Sequence, residues 1–193
     1  MLDKFTLKAQ EVVLQAQNIA REFGHQQVEV EHLVKALLSD QEGIPLAILK
    51  KIGANVGLII DRFDEEIRKL PKVSGAGALG SLYVSPQVNR VFNNAIKEMR
   101  QLKDEFISTE HLFLAMVDDQ NCAIAGMLKN EGIDKNSVYQ VLKEIRGTQR
   151  VVDQNPEDKY QALKRFGRDL TELANRGKLD PVIGRDEDRK SVV

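Results

Sequence analysis

Cysteine is nearly missing from this 193-residue chain. Cys122 stands alone, so no internal disulfide can form and a reducing compartment fits. Metal ligands are equally sparse. One cysteine and three histidines, with no His-x-x-x-His or Cys-x-x-Cys spacing, do not assemble a zinc site in sequence. No apolar run approaches the roughly 18 residues that a membrane helix requires. The first twenty residues alternate apolar side chains with Asp, Lys, Gln and Glu, which is neither a signal peptide nor a transit sequence. An excess of one charge is also lacking. Twenty-eight basic residues face 29 acidic ones, for a net charge of −1, so no overall field gathers nucleic acid or anionic lipid, and no basic face offers itself to DNA. These absences predict a cytoplasmic protein with neither membrane nor nucleic-acid partners and without a metal. With 42% hydrophobic and 30% charged residues, the chain has what a well-filled globular core needs.

What is present is a repetition. Glu31-His32-Leu33-Val34-Lys35-Ala36-Leu37 returns as Glu110-His111-Leu112-Phe113-Leu114-Ala115-Met116, an offset of 79 positions. The same offset carries Ala16 to Ala95, Asp40-Gln41 to Asp119-Gln120, Leu49-Lys50 to Leu128-Lys129 and Gly53 to Gly132. A duplication of this kind fixes the architecture before any element is assigned. It predicts an all-α fold of two four-helix units, about 5–70 and 84–147, related by a pseudo-twofold axis.

Within each unit the apolar spacing is helical. Phe5, Ala9, Val12, Val13, Ala16, Ala20 and Phe23 form one stripe, with Thr6 as N-cap and Gly24 at the end. A second helix is expected from Val30 to Ser39. A third follows Gly43, with Pro45 in its first turn, and stops at Gly53. Asn55 caps a fourth, which buries Ile59, Ile60, Phe63 and Ile67. The second copy opens at Ser85-Pro86, with the stripe Val88, Val91, Phe92, Ala95, Met99 and Leu102. Ser108 or Thr109 opens its Glu-His-Leu helix, a short helix covers about Ala123 to Lys129, and Asp134 caps the last one, burying Val138, Val141, Leu142 and Ile145. Between the copies, Ser74 to Ser81 is rich in glycine and alanine and reads as a flexible connector. The polar stretch 148–155 reads as an interdomain linker. Asn155-Pro156-Glu157-Asp158 then starts a further helix bearing Leu163, Phe166, Leu170 and Leu173 and ending at Gly177, an apolar face with nothing in the chain to cover it.

The tail Arg168-Asp169-Leu170-Thr171-Glu172-Leu173-Ala174, followed by Gly177-Lys178-Leu179-Asp180-Pro181-Val182-Ile183-Gly184-Arg185-Asp186, resembles the approach to the first ATPase domain of Clp-type AAA+ unfoldases. The duplicated unit with Glu-His-Leu in each copy resembles their N-terminal domain. Gln149-Arg150-Val151 and Gln154-Asn155-Pro156-Glu157-Asp158 are most similar to the ClpB-type disaggregating chaperones. The resemblance implies three parts: a double-repeat N-terminal domain over 1–147, a linker over 148–155, and a truncated start of the first AAA+ domain over 156–193. It also implies a hexameric machine that works with a co-chaperone and uses ATP with Mg to thread aggregated polypeptide through a pore. The N-terminal domain receives unfolded or aggregated polypeptide. This chain has no G-x-x-x-x-G-K-[ST]: its one Gly-Lys pair, Gly177-Lys178, is followed by leucine. Walker B acid and arginine finger are missing too, so the chain is expected to be no ATPase, to hold no cofactor and to be monomeric. Val182 and Ile183 are, by resemblance, latent adenine contacts of an intact ATPase domain.

For reception the resemblance implies a groove with an apolar floor and Thr6, Asp104 and Glu110 on its polar rim. Their plainer roles stand beside that: Thr6 as a helix cap, and Glu110, like Glu31, as an acid at the positive end of a helix. The same plain reading makes His32 and His111 structural and Cys122 a small buried side chain. The contrasting function is a standalone adaptor that docks on Clp assemblies.

Overall fold

The computed structural model describes residues 2–72, 82–147 and 149–156. The chain divides into the units Met1–Glu157 and Asp158–Val193. The second unit lies outside the described residues, and with it the expected final helix beyond Pro156 and Val182 and Ile183. So does the glycine-rich connector.

After a short 3-10 turn, the described residues form α1 (Leu7–Glu22), α2 (Val30–Ser39), α3 (Ile44–Ile52) and α4 (Val56–Lys69), then α5 (Pro86–Gln101), α6 (Thr109–Asp118), α7 (Ala123–Asn130) and α8 (Lys135–Arg146). Every helix of the second set begins 79 residues after its counterpart, so the duplication written in sequence is a duplication of backbone. The local signals explain the starts. The side-chain oxygens of Thr6 and Ser85 accept from Ala9 N–H and Val88 N–H at 3.2 and 3.1 Å, and those of Asn55 and Asp134 from Leu58 N–H and Ser137 N–H at 3.2 and 2.8 Å. Each such cap satisfies an amide that the helix cannot, worth about 1 kcal/mol. Gly53 and Gly132 end α3 and α7 in the left-handed region, at φ 87° and 76°.

The centre is built from α2 and α6. Every residue of α6 from Thr109 to Val117 is buried, so this helix is enclosed on all sides rather than amphipathic. α1 and α5 pack their stripes against α2 and α6, and the Phe5 ring meets Phe92 of α5 edge-on at 5.5 Å. Five expected stripe positions, Phe23, Ile60, Leu102, Val141 and Ile145, are only half-buried, while Arg146 is buried.

The two copies are joined by an exchange of short strands. β1 (Gln27–Val28), in the first copy, pairs in parallel with β2 (Tyr83–Val84), the segment leading into α5. Reciprocally, Phe5, leading into α1, bridges Ile107, just before α6. The hydrogen bonds repeat under the offset: Thr6 N–H to Ile107 C=O at 2.9 Å, Ser85 N–H to Val28 C=O at 3.1 Å. Each copy thus lends its leading strand to the other, which is what a pseudo-twofold axis requires.

The stretch expected as a linker, 148–155, is described from residue 149. Residues 149–155 lie on the domain as a strap. Glu105 N–H donates to Val151 C=O and Leu7 N–H to Gln154 C=O, both at 2.8 Å, and the Val151 side chain is fully buried. Two adjacent valines among polar residues, one buried and one exposed, are too little pattern to reveal such docking. Among the described residues no helix is long and apolar enough to cross a membrane.

Candidate functional site

The site grows from the turn that joins α5 to α6. Met99 C=O accepts from Asp104 N–H at 2.9 Å, and the chain passes through Lys103 at φ 58°, a left-handed conformation that costs a lysine more than a glycine. This turn points Asp104 inward, 7% exposed. There its carboxylate accepts from Arg146 Nη2 at 2.9 Å to each oxygen, from His111 Nε2 at 3.0 Å and from Val151 N–H at 2.8 Å. Burial opposes its ionisation, but donation from His111 and Val151 and the charge of Arg146 outweigh that and hold the carboxyl below its ordinary range. Glu110, also fully buried, brings Oε1 to 3.6 Å from Arg146 Nη1. One guanidinium therefore faces two buried carboxylates.

His111 is placed by its own helix. As third residue of α6, it takes the Ser108 N–H on Nδ1 at 2.9 Å, completing a capping box whose reaching side chain is a histidine instead of Glu or Gln. With Nδ1 accepting, the ring proton sits on Nε2 and points at Asp104. The first copy repeats the box: Glu29 N–H donates to His32 Nδ1 at 2.9 Å. There Nε2 meets His25 Nδ1 at 2.8 Å, since His25 occupies the position of Asp104. Burial and then the neighbouring ring lower the His32 pKa to about 4. His25 is lowered too, by burial and by Lys72, and stacks on Phe23. His32 and His111 are thus both engaged within their own copies, each through both ring nitrogens. Among the described residues no group of three or more His, Cys, Asp or Glu could hold a metal. Cys122 is buried at the N-cap of α7, where desolvation pushes its thiol pKa up, away from reactivity.

The expected polar rim is interior. Thr6, Asp104 and Glu110 are exposed by 0%, 7% and 0%. Thr6 caps α1 and bonds Ile107, so it does neighbour the Asp104–Glu110 segment, but none of the three offers its side chain freely to solvent. The physical reason is Arg146: both acids turn inward to a cation that the sequence reading left out. Its signal was there, because Arg146 falls on Ile67 of the first copy, a charge where the repeat has a core residue. The strap residue Val151 was missed as well.

Two hollows open nearby. One, of about 440 Å³, runs along α1 past Glu11, Leu14 and Asn18 to the Asp40–Pro45 turn, and reaches Thr109 beside Glu110. A second, of about 310 Å³, lies between α2 and α4, next to the Lys35–Asp64 ion pair. Leu7 and Leu14, seven residues apart on α1, are 46% and 56% exposed.

Comparison with known proteins places this architecture. The Clp repeat (R) N-terminal domain family matches residues 4–131. "Chaperone protein ClpB" of Nitratidesulfovibrio vulgaris is 42% identical over 194 residues, covering 100% of this chain and 22% of that protein. The Hsp104 N-terminal domain from Candida albicans superposes with a TM-score of 0.69 at 22% identity, over 80% of this chain and 99% of that one. A complex of the ClpV N-domain with a VipB peptide gives 0.60 at 18% identity, over 74% and 86%. The chain spans about a fifth of the length of the curated relatives it matches. The family match over most of the described domain and the similarity along the whole chain agree: the chain belongs to the Clp repeat N-terminal domain family, with ClpB chaperones among its relatives.

Proposed function

We propose that this chain is the substrate-receiving N-terminal part of a ClpB-like disaggregating chaperone, binding unfolded or aggregated polypeptide on behalf of an ATP-driven threading motor. The observation that carries the reading is α1. Its outer face keeps Leu7 and Leu14 in solvent, and Leu14 borders a 440 Å³ hollow whose lining mixes apolar residues such as Val12 and Pro45 with Lys8, Glu11 and Asn18. Apolar surface that the fold does not use, rimmed by polar groups, suits a partner with exposed aliphatic side chains and unpaired amides. An unfolded chain is such a partner whatever its sequence. The relatedness to ClpB chaperones along the whole sequence supports the same reading. In the longer protein this proposal includes a hexameric motor with ATP, Mg and a co-chaperone, acting in the cytoplasm, while the 193-residue chain by itself works as a monomeric receiver.

The test is fluorescence anisotropy of labelled, reduced and carboxymethylated α-lactalbumin titrated with the chain. Leu14→Lys, a surface change, is expected to weaken binding about tenfold, the order of one aliphatic side chain's burial. Unchanged affinity would remove α1 from the reception surface.

A second reading, a module that docks one defined peptide, draws on the ClpV N-domain that shares this fold and was captured with a VipB peptide. Indifference to unrelated unfolded proteins, with tight binding of one sequence, would favour it.

A further inference from the structure

We infer that the strap 149–155 is a built-in occupant of the polypeptide-receiving face, held by contacts that an extended aliphatic-bearing substrate can replace, so that reception and strap docking compete. The inference rests on the reading that this domain receives unfolded chains.

Val151 is held as a substrate residue would be. Its N–H donates to Asp104 Oδ1 and its C=O accepts from Glu105 N–H, each at 2.8 Å, while its aliphatic side chain is fully buried. Two main-chain groups and one branched apolar side chain are what any extended polypeptide offers wherever it carries Val, Ile or Leu. Recognition of this type takes affinity from the backbone and only coarse specificity from the side-chain pocket. Three residues on, Gln154 C=O accepts from Leu7 N–H, one of the first-turn amides of α1 that lacks a partner within its helix. This places the strap at the leading end of the exposed leucine face of α1.

The site is built to survive the exchange. Asp104 keeps Arg146 and His111 when Val151 leaves, so its charge stays paired and its orientation fixed. Beyond Val151 the strap is held at a few points, by Gln149 N–H on Arg146 C=O at 3.1 Å and the Gln154 amide on Asp3 C=O at 3.3 Å, and Val152 is 49% exposed.

Two changes to the full chain test this with the labelled α-lactalbumin probe. Val151→Gly removes the anchor and leaves the main chain. It is expected to tighten binding about tenfold and to speed hydrogen exchange at the Glu105 and Leu7 amides, with helical circular dichroism unchanged. Glu105→Cys with Val152→Cys, both at exposed positions, is expected to form a disulfide on oxidation and clamp the strap. The oxidised form should then bind about tenfold more weakly than the same protein reduced, a comparison that does not depend on how well Val151→Gly folds. If wild-type binding is Leu14-dependent but neither manipulation alters it, the strap is only part of the fold and the inference fails alone. A bridge that does not form overturns the docked strap as well. If no form binds the probe, the reception reading falls and takes the inference with it.

Discussion

The first copy closes its capping histidine with another histidine, and the second closes its own with an aspartate tied to an arginine. Backbone, capping box and ring orientation are shared: Glu29 N–H to His32 and Ser108 N–H to His111 are both 2.9 Å. The partner side chain is what changes, and so does the residue at the position of Arg146. Asp104 is paired with Arg146, whose counterpart in the first copy is the buried apolar Ile67. One copy therefore solves a buried polar contact with neutral rings, the other with paired charge. The lesson is that a duplicated scaffold preserves its hydrogen-bond geometry while its electrostatics diverge, provided both partners change together.

Breaking that pairing should have the largest effect. Arg146→Ile installs the first copy's residue in the second and leaves Asp104 and Glu110 buried without their cation, a loss of about 3–5 kcal/mol in urea unfolding. Adding Asp104→His should recover a substantial part, a coupling that a double-mutant cycle reads directly. Full additivity would mean the copies' side chains are not exchanged as pairs.

Acid should separate the copies next. The folded His32 pKa, about 4, is below its ordinary 6.5, so above pH 6.5 both states hold it neutral. As pH falls from 6.5 towards 4, the unfolded chain takes up a proton that the folded one refuses, and stability declines by up to about 3 kcal/mol. His25 shifts in the same direction and deepens this loss. Asp104 is lowered from 3.8, so its contribution persists through that window and is lost only in stronger acid. His32→Gln keeps a capping side chain of the favoured type and should flatten the slope between pH 6.5 and 4 while leaving that at lower pH. An unaltered slope would show that the first copy's histidine pair is not its source.

The smallest contrast lies at the helix ends. Gly24 sits at φ 75°, and nothing lies within 4 Å of an added Cβ, so Gly24→Ala should cost about 1 kcal/mol from conformation alone. Its counterpart Lys103, at φ 58°, should gain a few tenths to about 1 kcal/mol as Lys103→Gly. Thermal melts of the two variants should move in opposite directions.

Which features were legible follows from their range along the chain. Thr6, Asn55, Ser85 and Asp134 act on amides three residues away, so their caps could be read at sight, and α2 spans the Val30–Ser39 range that its stripe predicts. Ser108, not Thr109, is the cap of α6, a choice that adjacent hydroxyls leave open in sequence. The two-residue strands were illegible because they are too short to show a period and their partners lie in the other copy. The candidate site was legible only as a neighbourhood. Asp104 and Arg146 meet across 42 residues, and sequence can suggest that both matter but not that they face each other indoors. Val151 escaped for the same reason, reaching Asp104 over 47.

The exchanged leading strands carry a further consequence. A solitary copy would leave Phe5 or Val84 without its partner and the turn before its second helix unbridged, so neither half is a self-sufficient fold. The arrangement is that of a closed, two-fold homodimer whose subunits have been spliced into one polypeptide. Covalent union replaces an encounter between molecules with a local search at an effective concentration on the order of millimolar. It also frees each half from having to complement itself, which is how one could remain charge-free at its heart while the other acquired an acid facing the outgoing chain.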